Sequence, residues 1–288
     1  MVTVPNSAGA ICRLDHNCRR SPPEFRNLAI DWHRPGPARH VGWRSNIANK
    51  LDLVSSEYLP GSATEVENDL VLNWYPGRIL RRLGDRTGSL LELGIGHGHT
   101  TRRFNDHFER HVVIDGSPAV IEQFRASDEL GSIEIVESLF EEYETDERFD
   151  VIVMGFVLEH VDDPSLILRR FRKFLRPDGR LFIAVPNAKS MNRRLGLAMG
   201  KIDDIYTLNE NDIRLGHQRQ FCLDTLKALL EETGFECVWE EGIYLKPLPL
   251  GYMQAMPEFE DNLRAMLEVG VEFPELSVGL LIEARPVS

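Results

Sequence analysis

The pattern of apolar and polar positions becomes regular from about residue 89 onward. Short apolar runs there alternate with segments of helical periodicity. The apolar runs predict strands at 89–95, 111–115, 133–137, 150–157 and 180–186. The segments between them predict helices at 99–108, 118–126 and 164–175. Strands that alternate with helices indicate βαβ units, so this region is expected to form a doubly wound, Rossmann-like α/β domain with a mostly parallel sheet.

The flanking segments extend this predicted domain. A further helix is expected at 222–233, and apolar runs at 235–245 and 275–284 predict an antiparallel hairpin that closes the edge of a seven-stranded sheet. We therefore expect four parts, which are a flexible or loosely packed arm at 1–50, capping helices at 51–84, a main domain at 85–288, and insertions within that domain at 188–221 and 246–274. The first insertion has the length of a lid.

Charge is distributed unevenly along the 288 residues. The first 50 residues contain eight Lys or Arg and three Asp or Glu, a net of +5, so the overall charge of −12 leaves −17 on the other 238 residues. An acidic main body repels phosphate backbones and argues against nucleic acid as a partner. No apolar run approaches the roughly 20 residues needed to cross a bilayer, so we expect a cytoplasmic protein without a membrane span.

The turn after the first predicted strand carries the most informative motif. It reads ELGIGHG over residues 92–98, with three alternate glycines that allow positive φ and close approach of a ligand. The dinucleotide pattern G-x-G-x-x-G is not met, because the last glycine position is taken by His99 or Thr101. The loop has no lysine for a phosphate, whereas Glu92 precedes it. A cationic, phosphate-free ligand such as S-adenosylmethionine fits these features.

Four motifs in order resemble those of the class I S-adenosylmethionine-dependent methyltransferases. They are the glycine loop, VVIDGS at 112–117, FVLEHV at 156–161 and RPDG at 176–179. The resemblance is to the small-molecule branch, which includes ubiquinone-pathway O-methyltransferases and natural-product methyltransferases. It is strong over about 85–187 and looser to about 286. It implies S-adenosylmethionine as cofactor and S-adenosylhomocysteine as product.

The resemblance also implies which residues bind the cofactor. Glu92 would hold the methionyl end, Asp115 would bind both ribose hydroxyls, and the residues after the third strand would flank the adenine. The full expected set is Glu92, Gly94, Gly96, Gly98, Asp115, Gly116, Ser138, Leu139, Phe140 and Phe156. Many relatives have Asp where Ser138 stands. Plainer interpretations remain open: the glycines could form only a tight turn, Asp115 could cap a helix, and Phe140 and Phe156 could be core aromatics.

The acceptor side is less sharply defined by the sequence. Methyl transfer is an in-line displacement, and a base is required if the acceptor is an alcohol. His160 and His217 are the candidate catalytic residues, although His160 could instead order the loop that follows it. GHQRQF at 216–221 resembles a GH-x-R-x-aromatic signature of this branch. The candidate acceptor-binding residues are Tyr58, Tyr206, Arg219 and Tyr252, with a structural salt bridge as the alternative role of Arg219.

These observations predict an enzyme that methylates an oxygen or nitrogen atom of a small-molecule acceptor. The sequence shows no catechol-type metal cluster, so we expect no metal ligands and a metal-independent reaction. Cys12, His16 and Cys18 lie close together but lack a fourth ligand. Two alternatives remain, a non-catalytic S-adenosylmethionine-binding scaffold and, against the motif after the fourth strand, an aminopropyltransferase. The basic arm leaves macromolecular acceptors open.

Overall fold

The structure is a computed structural model that describes residues 65–85, 88–126 and 132–287. The expected arm at 1–50, the part of the expected capping helices at 51–64, and Tyr58 lie outside the described residues. None of the described helices combines the length and the hydropathy that crossing a bilayer requires.

Seven strands form one sheet, as the apolar runs predict. The strand order is β3-β2-β1-β4-β5-β7-β6, and β7 is antiparallel to both of its neighbours while the other adjacent pairs are parallel. The predicted hairpin at the sheet edge is therefore confirmed. The strands are β1 Ser89–Leu93, β2 Arg110–Asp115, β3 Glu134–Glu137, β4 Phe149–Gly155, β5 Leu175–Pro186, β6 Phe235–Ile243 and β7 Gly279–Pro286.

Helices cover both faces of this sheet, and two of them lie in each of the expected insertions. Pro118 and Pro164 stand at the first turns of their helices, where a missing N–H is harmless. The helices of the described residues are α1 Glu65–Leu83, α2 His99–Asn105, α3 Pro118–Arg125, α4 Pro164–Arg172, α5 Met191–Ala198, α6 Glu210–Arg214, α7 Leu223–Glu232, α8 Leu250–Gln254 and α9 Phe259–Gly270.

Several strand ends differ from the sequence prediction for conformational reasons. β1 ends at Leu93 because Gly94 has a φ of 80°, and β4 ends at Gly155 because Phe156 has a φ of 56°. β5 begins at Leu175 and includes the predicted RPDG turn. The register with β4 shifts there, so the exposed residues 176–178 bulge out of the sheet.

The pleat of the central strands separates two buried clusters. Leu91 and Leu93 of β1 pack toward the side of α4 and α7, together with Phe171 and Leu226. Leu90 packs toward the opposite side, which α1, α2 and α9 cover. Each fully buried side chain of this size stabilises the fold by about 1.5–3 kcal/mol. Glu92 alternates with Leu91 and Leu93, so it is carried to the face that α1 and α2 cover.

Candidate functional site

A cavity of about 1620 Å³ opens at the carboxyl ends of β1, β2 and β4. Its lining includes the glycine loop, Asp115 and Gly116 at the end of β2, and the residues that follow β4. The segment between β5 and α7, which contains α5 and α6, lines the opposite end. The carboxyl edge of an open α/β sheet is where ligands bind in this class of fold.

The glycine loop adopts a backbone conformation that is unfavourable for residues other than glycine. Gly94, Gly96 and Gly98 have φ values of 80°, 51° and 76°, all in the left-handed region. A Cβ on Gly98 would lie 2.6 Å from the Phe124 ring, whereas one on Gly96 would meet nothing within 4 Å. Gly96 borders the cavity, so its missing side chain leaves room for a ligand against the backbone.

Asp115 fixes the shape of this loop. Its Oδ2 accepts a hydrogen bond from the Ile95 amide at 2.9 Å, and its Oδ1 accepts one from the Ser117 amide at 2.8 Å. Burial raises the pKa of Asp115, and these two backbone hydrogen bonds oppose that rise. Each carboxylate oxygen retains a second lone pair for a ligand hydroxyl. Ser117, which accepts from the Val120 amide, is the N-cap of α3, so Asp115 does not fill the capping role that the sequence left open.

Glu92 lies at the bottom of the cavity and is only 2% exposed. Its Oε2 is 2.9 Å from Nε2 of His111, which is also buried. Burial raises the pKa of Glu92, and the contact with His111 opposes the rise. The sequence analysis missed His111 because a lone histidine at the start of a strand carries no signal of its partner on the adjacent strand.

The expected adenine-binding residues follow β3. Leu139 and Phe140 line the cavity, whereas Ser138 lies outside the lining and its hydroxyl donates to the Leu139 carbonyl oxygen at 3.0 Å. The Ser138 amide donates to the Asp115 carbonyl oxygen at 3.0 Å, which holds this segment beside the end of β2. Phe140 also packs against the buried cluster, so it is at once part of the lining and of the core.

Tyr75 of α1 closes the cavity from the side and was not singled out by the sequence. Its hydroxyl lies 2.8 Å from Oγ1 of Thr100, and its ring meets that of Phe156 edge-on with 5.6 Å between centroids. A Cβ on Gly155 would overlap the Tyr75 hydroxyl. Phe156 lines the cavity from a left-handed backbone conformation, with its amide donating to the Ala184 carbonyl oxygen at 2.8 Å.

Both candidate catalytic histidines lie at the far end of the cavity, close to one another. The rings of His160 and His217 are 4.8 Å apart at 81°. Burial lowers the pKa of His160 to about 4, and His217 acts in the same direction, so His160 is neutral at pH 7. Nδ1 of His217 lies 3.4 Å from Oδ1 of Asp212.

Glu159 joins these histidines and was missed as a separate site residue, although it lies within the FVLEHV motif. Its side chain is fully buried, it borders the cavity, and neither carboxylate oxygen has a hydrogen-bond partner among the described residues. Burial raises the pKa of Glu159 to about 7, and the nearby His217 opposes this rise. The apolar residues around it in the motif gave no sign that the carboxylate faces the cavity.

Arg219 anchors the loop after β4. Its guanidinium donates to the carbonyl oxygens of Leu158 and Asp162, each at 3.0 Å, and to that of Val161. The amide side chain of Gln218 adds a hydrogen bond to the His160 carbonyl oxygen at 2.6 Å. Arg219 therefore acts on the cavity through the loop that carries Glu159 and His160, and it lies outside the lining itself.

Two of the expected acceptor-binding tyrosines, Tyr206 and Tyr252, lie within the described residues. Tyr206 donates from its hydroxyl to Sγ of Cys222 at 3.3 Å, and Tyr252 on α8 is 71% exposed. Neither belongs to the cavity lining in the part of the chain that the structure describes.

The chain is similar to several known proteins in sequence and in fold. A family model described as a methyltransferase domain matches residues 73–240. The ubiquinone/menaquinone biosynthesis C-methyltransferase UbiE of Escherichia coli is 28% identical over 220 residues, which cover 67% of this chain and 83% of that protein.

Two solved structures are similar in fold. The N-methyltransferase NodS from Bradyrhizobium japonicum, in complex with S-adenosylhomocysteine, has a TM-score of 0.53 and 17% identity and covers 83% of this chain and 100% of that one. The 1,6-didemethyltoxoflavin-N1-methyltransferase from Burkholderia thailandensis, with 1,6-didemethyltoxoflavin and S-adenosylhomocysteine bound, has a TM-score of 0.55 and 20% identity and covers 90% of this chain and 98% of that one.

Proposed function

Because the chain belongs to the methyltransferase-domain family, we propose that it transfers a methyl group from S-adenosylmethionine to an oxygen or nitrogen atom of a small-molecule acceptor. The observation that carries this proposal is the loop of three left-handed glycines held by Asp115 at the edge of a cavity. The same cavity continues to His160 and His217, so one space has room for a cofactor and an acceptor. The similar enzymes named above support a small-molecule acceptor.

The residues present fit S-adenosylmethionine. The open space at Gly96 lets a ligand lie against the backbone, and Asp115 retains lone pairs for two ribose hydroxyls. Leu139 and Phe140 offer apolar surface for the adenine, and Glu92 supplies a carboxylate for the cationic methionyl end.

The chemistry proposed is an in-line displacement at the methyl carbon. The acceptor atom forms a bond to that carbon as the carbon–sulfur bond breaks, and the neutral thioether leaves. Because the sulfonium already activates the methyl group, the displacement itself needs no metal. The protein aligns the two reactants and excludes water. His160, neutral at pH 7, accepts the proton when the acceptor is an alcohol or an ammonium group.

The test is to incubate the protein with S-adenosylmethionine carrying a labelled methyl group and a metabolite extract. The proposal predicts a labelled product of low molecular mass that requires the protein and is lost with Asp115→Ala. The exposed residue Asp203 provides the matched control, since Asp203→Ala removes a carboxylate outside the cavity lining. Cofactor binding without any labelled product would support a non-catalytic scaffold instead.

A further inference from the structure

We propose that Glu159, His160 and His217 form a binding site for one Zn²⁺ or a comparable first-row divalent cation, at the end of the cavity that lies farthest from the glycine loop. This inference goes beyond methyl transfer and does not depend on it. The three residues come from two distant segments, the loop after β4 and the segment before α7, which Arg219 and Gln218 hold together.

The ligand types and their spacing suit such a cation. Two imidazoles and one carboxylate are a known donor set for zinc sites that keep an open position for water or substrate. The three ligand atoms all lie within 4.8 Å of one another. Tetrahedral zinc with bonds of 2.0–2.2 Å separates its ligand atoms by about 3.3 Å. Side-chain rotations that bring the atoms together by about 1.5 Å therefore complete the site.

Glu159 supplies the strongest reason for a cation. Its carboxylate is fully buried and has no hydrogen-bond partner among the described residues. A carboxyl group in that position is ionised only where a positive charge compensates it, and it is otherwise protonated. His217 and Arg219 both favour its charged form, but the guanidinium of Arg219 is directed at three backbone carbonyl oxygens. A cation bound between Glu159 and the histidines compensates the charge directly.

Each histidine has a polar group beside its ring, as metal ligands usually do. His217 places Nδ1 3.4 Å from Oδ1 of Asp212, at ion-pair distance but without a hydrogen bond, and His160 is hydrogen-bonded to the backbone of Gly216. Asp212 is itself fixed, because its Oδ2 accepts from the Asn209 amide at 2.9 Å. Each histidine therefore offers one ring nitrogen to the cation.

A cation at this place would act on the acceptor. His160 would then be a ligand and would no longer accept the proton of the acceptor. Instead, an alcohol oxygen bound to the cation would lose its proton to solvent more readily, as water bound to zinc does when its pKa falls to about 7. The displacement at the methyl carbon would still need no metal. The metal independence expected from the sequence would then hold for that step alone.

The test is a zinc titration of the untagged full chain after treatment with a chelator and dialysis. Calorimetry and elemental analysis are expected to show one equivalent of Zn²⁺, with affinity reduced at least about tenfold in His217→Asn and in Glu159→Gln. His107 is exposed and lies outside the cavity lining, so His107→Asn is the matched control and should bind as the wild type does. Mg²⁺, which prefers oxygen ligands, should bind far more weakly.

Several results would overturn the inference. They are an absence of stoichiometric zinc binding, equal affinity in the wild type and in Glu159→Gln, and loss of binding in Cys18→Ser, which would move the site to Cys12, His16 and Cys18. Glu159→Gln replaces a single carboxylate oxygen by an amide nitrogen, so this variant can be used for the test if His217→Asn does not fold. In the wild type, zinc should also raise the melting temperature. The titration uses neither S-adenosylmethionine nor an acceptor, so its failure is distinguishable from a failure of the proposed function.

Discussion

Replacing Asp115 by Asn separates two roles that the structure gives this side chain. The carboxylate accepts one hydrogen bond from each of the Ile95 and Ser117 amides. The Asn side chain keeps the volume, but only its carbonyl oxygen can accept, so one of the two amides loses its acceptor. An unsatisfied buried donor destabilises a protein by about 1–3 kcal/mol. For a chain of this size the melting temperature should fall by about 2–12 °C.

The same substitution should weaken cofactor binding by a separate amount. Two ribose hydroxyls that donate to a carboxylate in the wild type would find at most one neutral oxygen in Asp115→Asn. Hydrogen bonds to charged groups contribute about 1.5–3 kcal/mol each, so a loss of about 2–4 kcal/mol is expected. That loss raises the Kd for S-adenosylmethionine roughly 30- to 1000-fold.

Calorimetric titration with S-adenosylmethionine, together with thermal unfolding, measures both effects. Asp203→Asn, in an exposed position outside the cavity, is expected to change neither quantity. A Kd within about twofold of the wild type, accompanied by a lower melting temperature, would refute the assignment. Asp115 would then hold the glycine loop without touching the cofactor.

Three further predictions test contacts around the cavity and the sheet. Gly155→Ala should lower the free energy of unfolding by about 1–3 kcal/mol, because the new Cβ would overlap the Tyr75 hydroxyl. Adding Tyr75→Phe to this variant should restore part of the lost stability. Losses that are simply additive in urea titrations would argue against this contact. Arg219→Ala should speed amide hydrogen exchange at 158–162, and unchanged exchange would show that its carbonyl contacts do not hold the loop. Burial acts to raise the pKa of Glu283, but hydrogen bonds from Arg180 and Arg82 lower it, so the stabilisation from this carboxylate is present above the unfolded pKa of about 4.5 and is lost as pH falls through the folded pKa. Glu283→Gln should therefore lower the free energy of unfolding by about 3–5 kcal/mol at pH 7 and by less at pH 3, as measured by urea unfolding. A loss that is independent of pH would contradict the ion pair.

The sequence predicted the fold well because its signals are local. Buried parallel strands correspond to continuous apolar runs in the sequence, and the glycine loop marks the end of the first strand. The ends of β1 and β4 were predicted two residues too long. Ile95 and Val157 are apolar and buried like strand residues, yet they follow Gly94 and Phe156, whose positive φ values end the strands.

The candidate site was only partly predictable because its contacts connect distant segments. The VVIDGS motif predicted Asp115 as a site residue. No local pattern shows that Glu92 on β1 contacts His111 on β2, or that Tyr75 fills the space left by Gly155. Likewise, Tyr206 and Tyr252 have side chains suited to binding an acceptor, but whether they face the cavity depends on how the insertions fold.

The most direct test of the central claim is a calorimetric titration of the full chain with S-adenosylmethionine. We expect one saturable equivalent, displaced by S-adenosylhomocysteine, with binding abolished in Gly96→Val, where the new side chain fills the cradle at the loop. Gly251→Val is the matched control, since Gly251 is exposed on α8, outside the cavity lining, and should bind as the wild type does. Absence of binding in the wild type, or equal affinity in Gly96→Val, would contradict the claim that this cavity holds the cofactor.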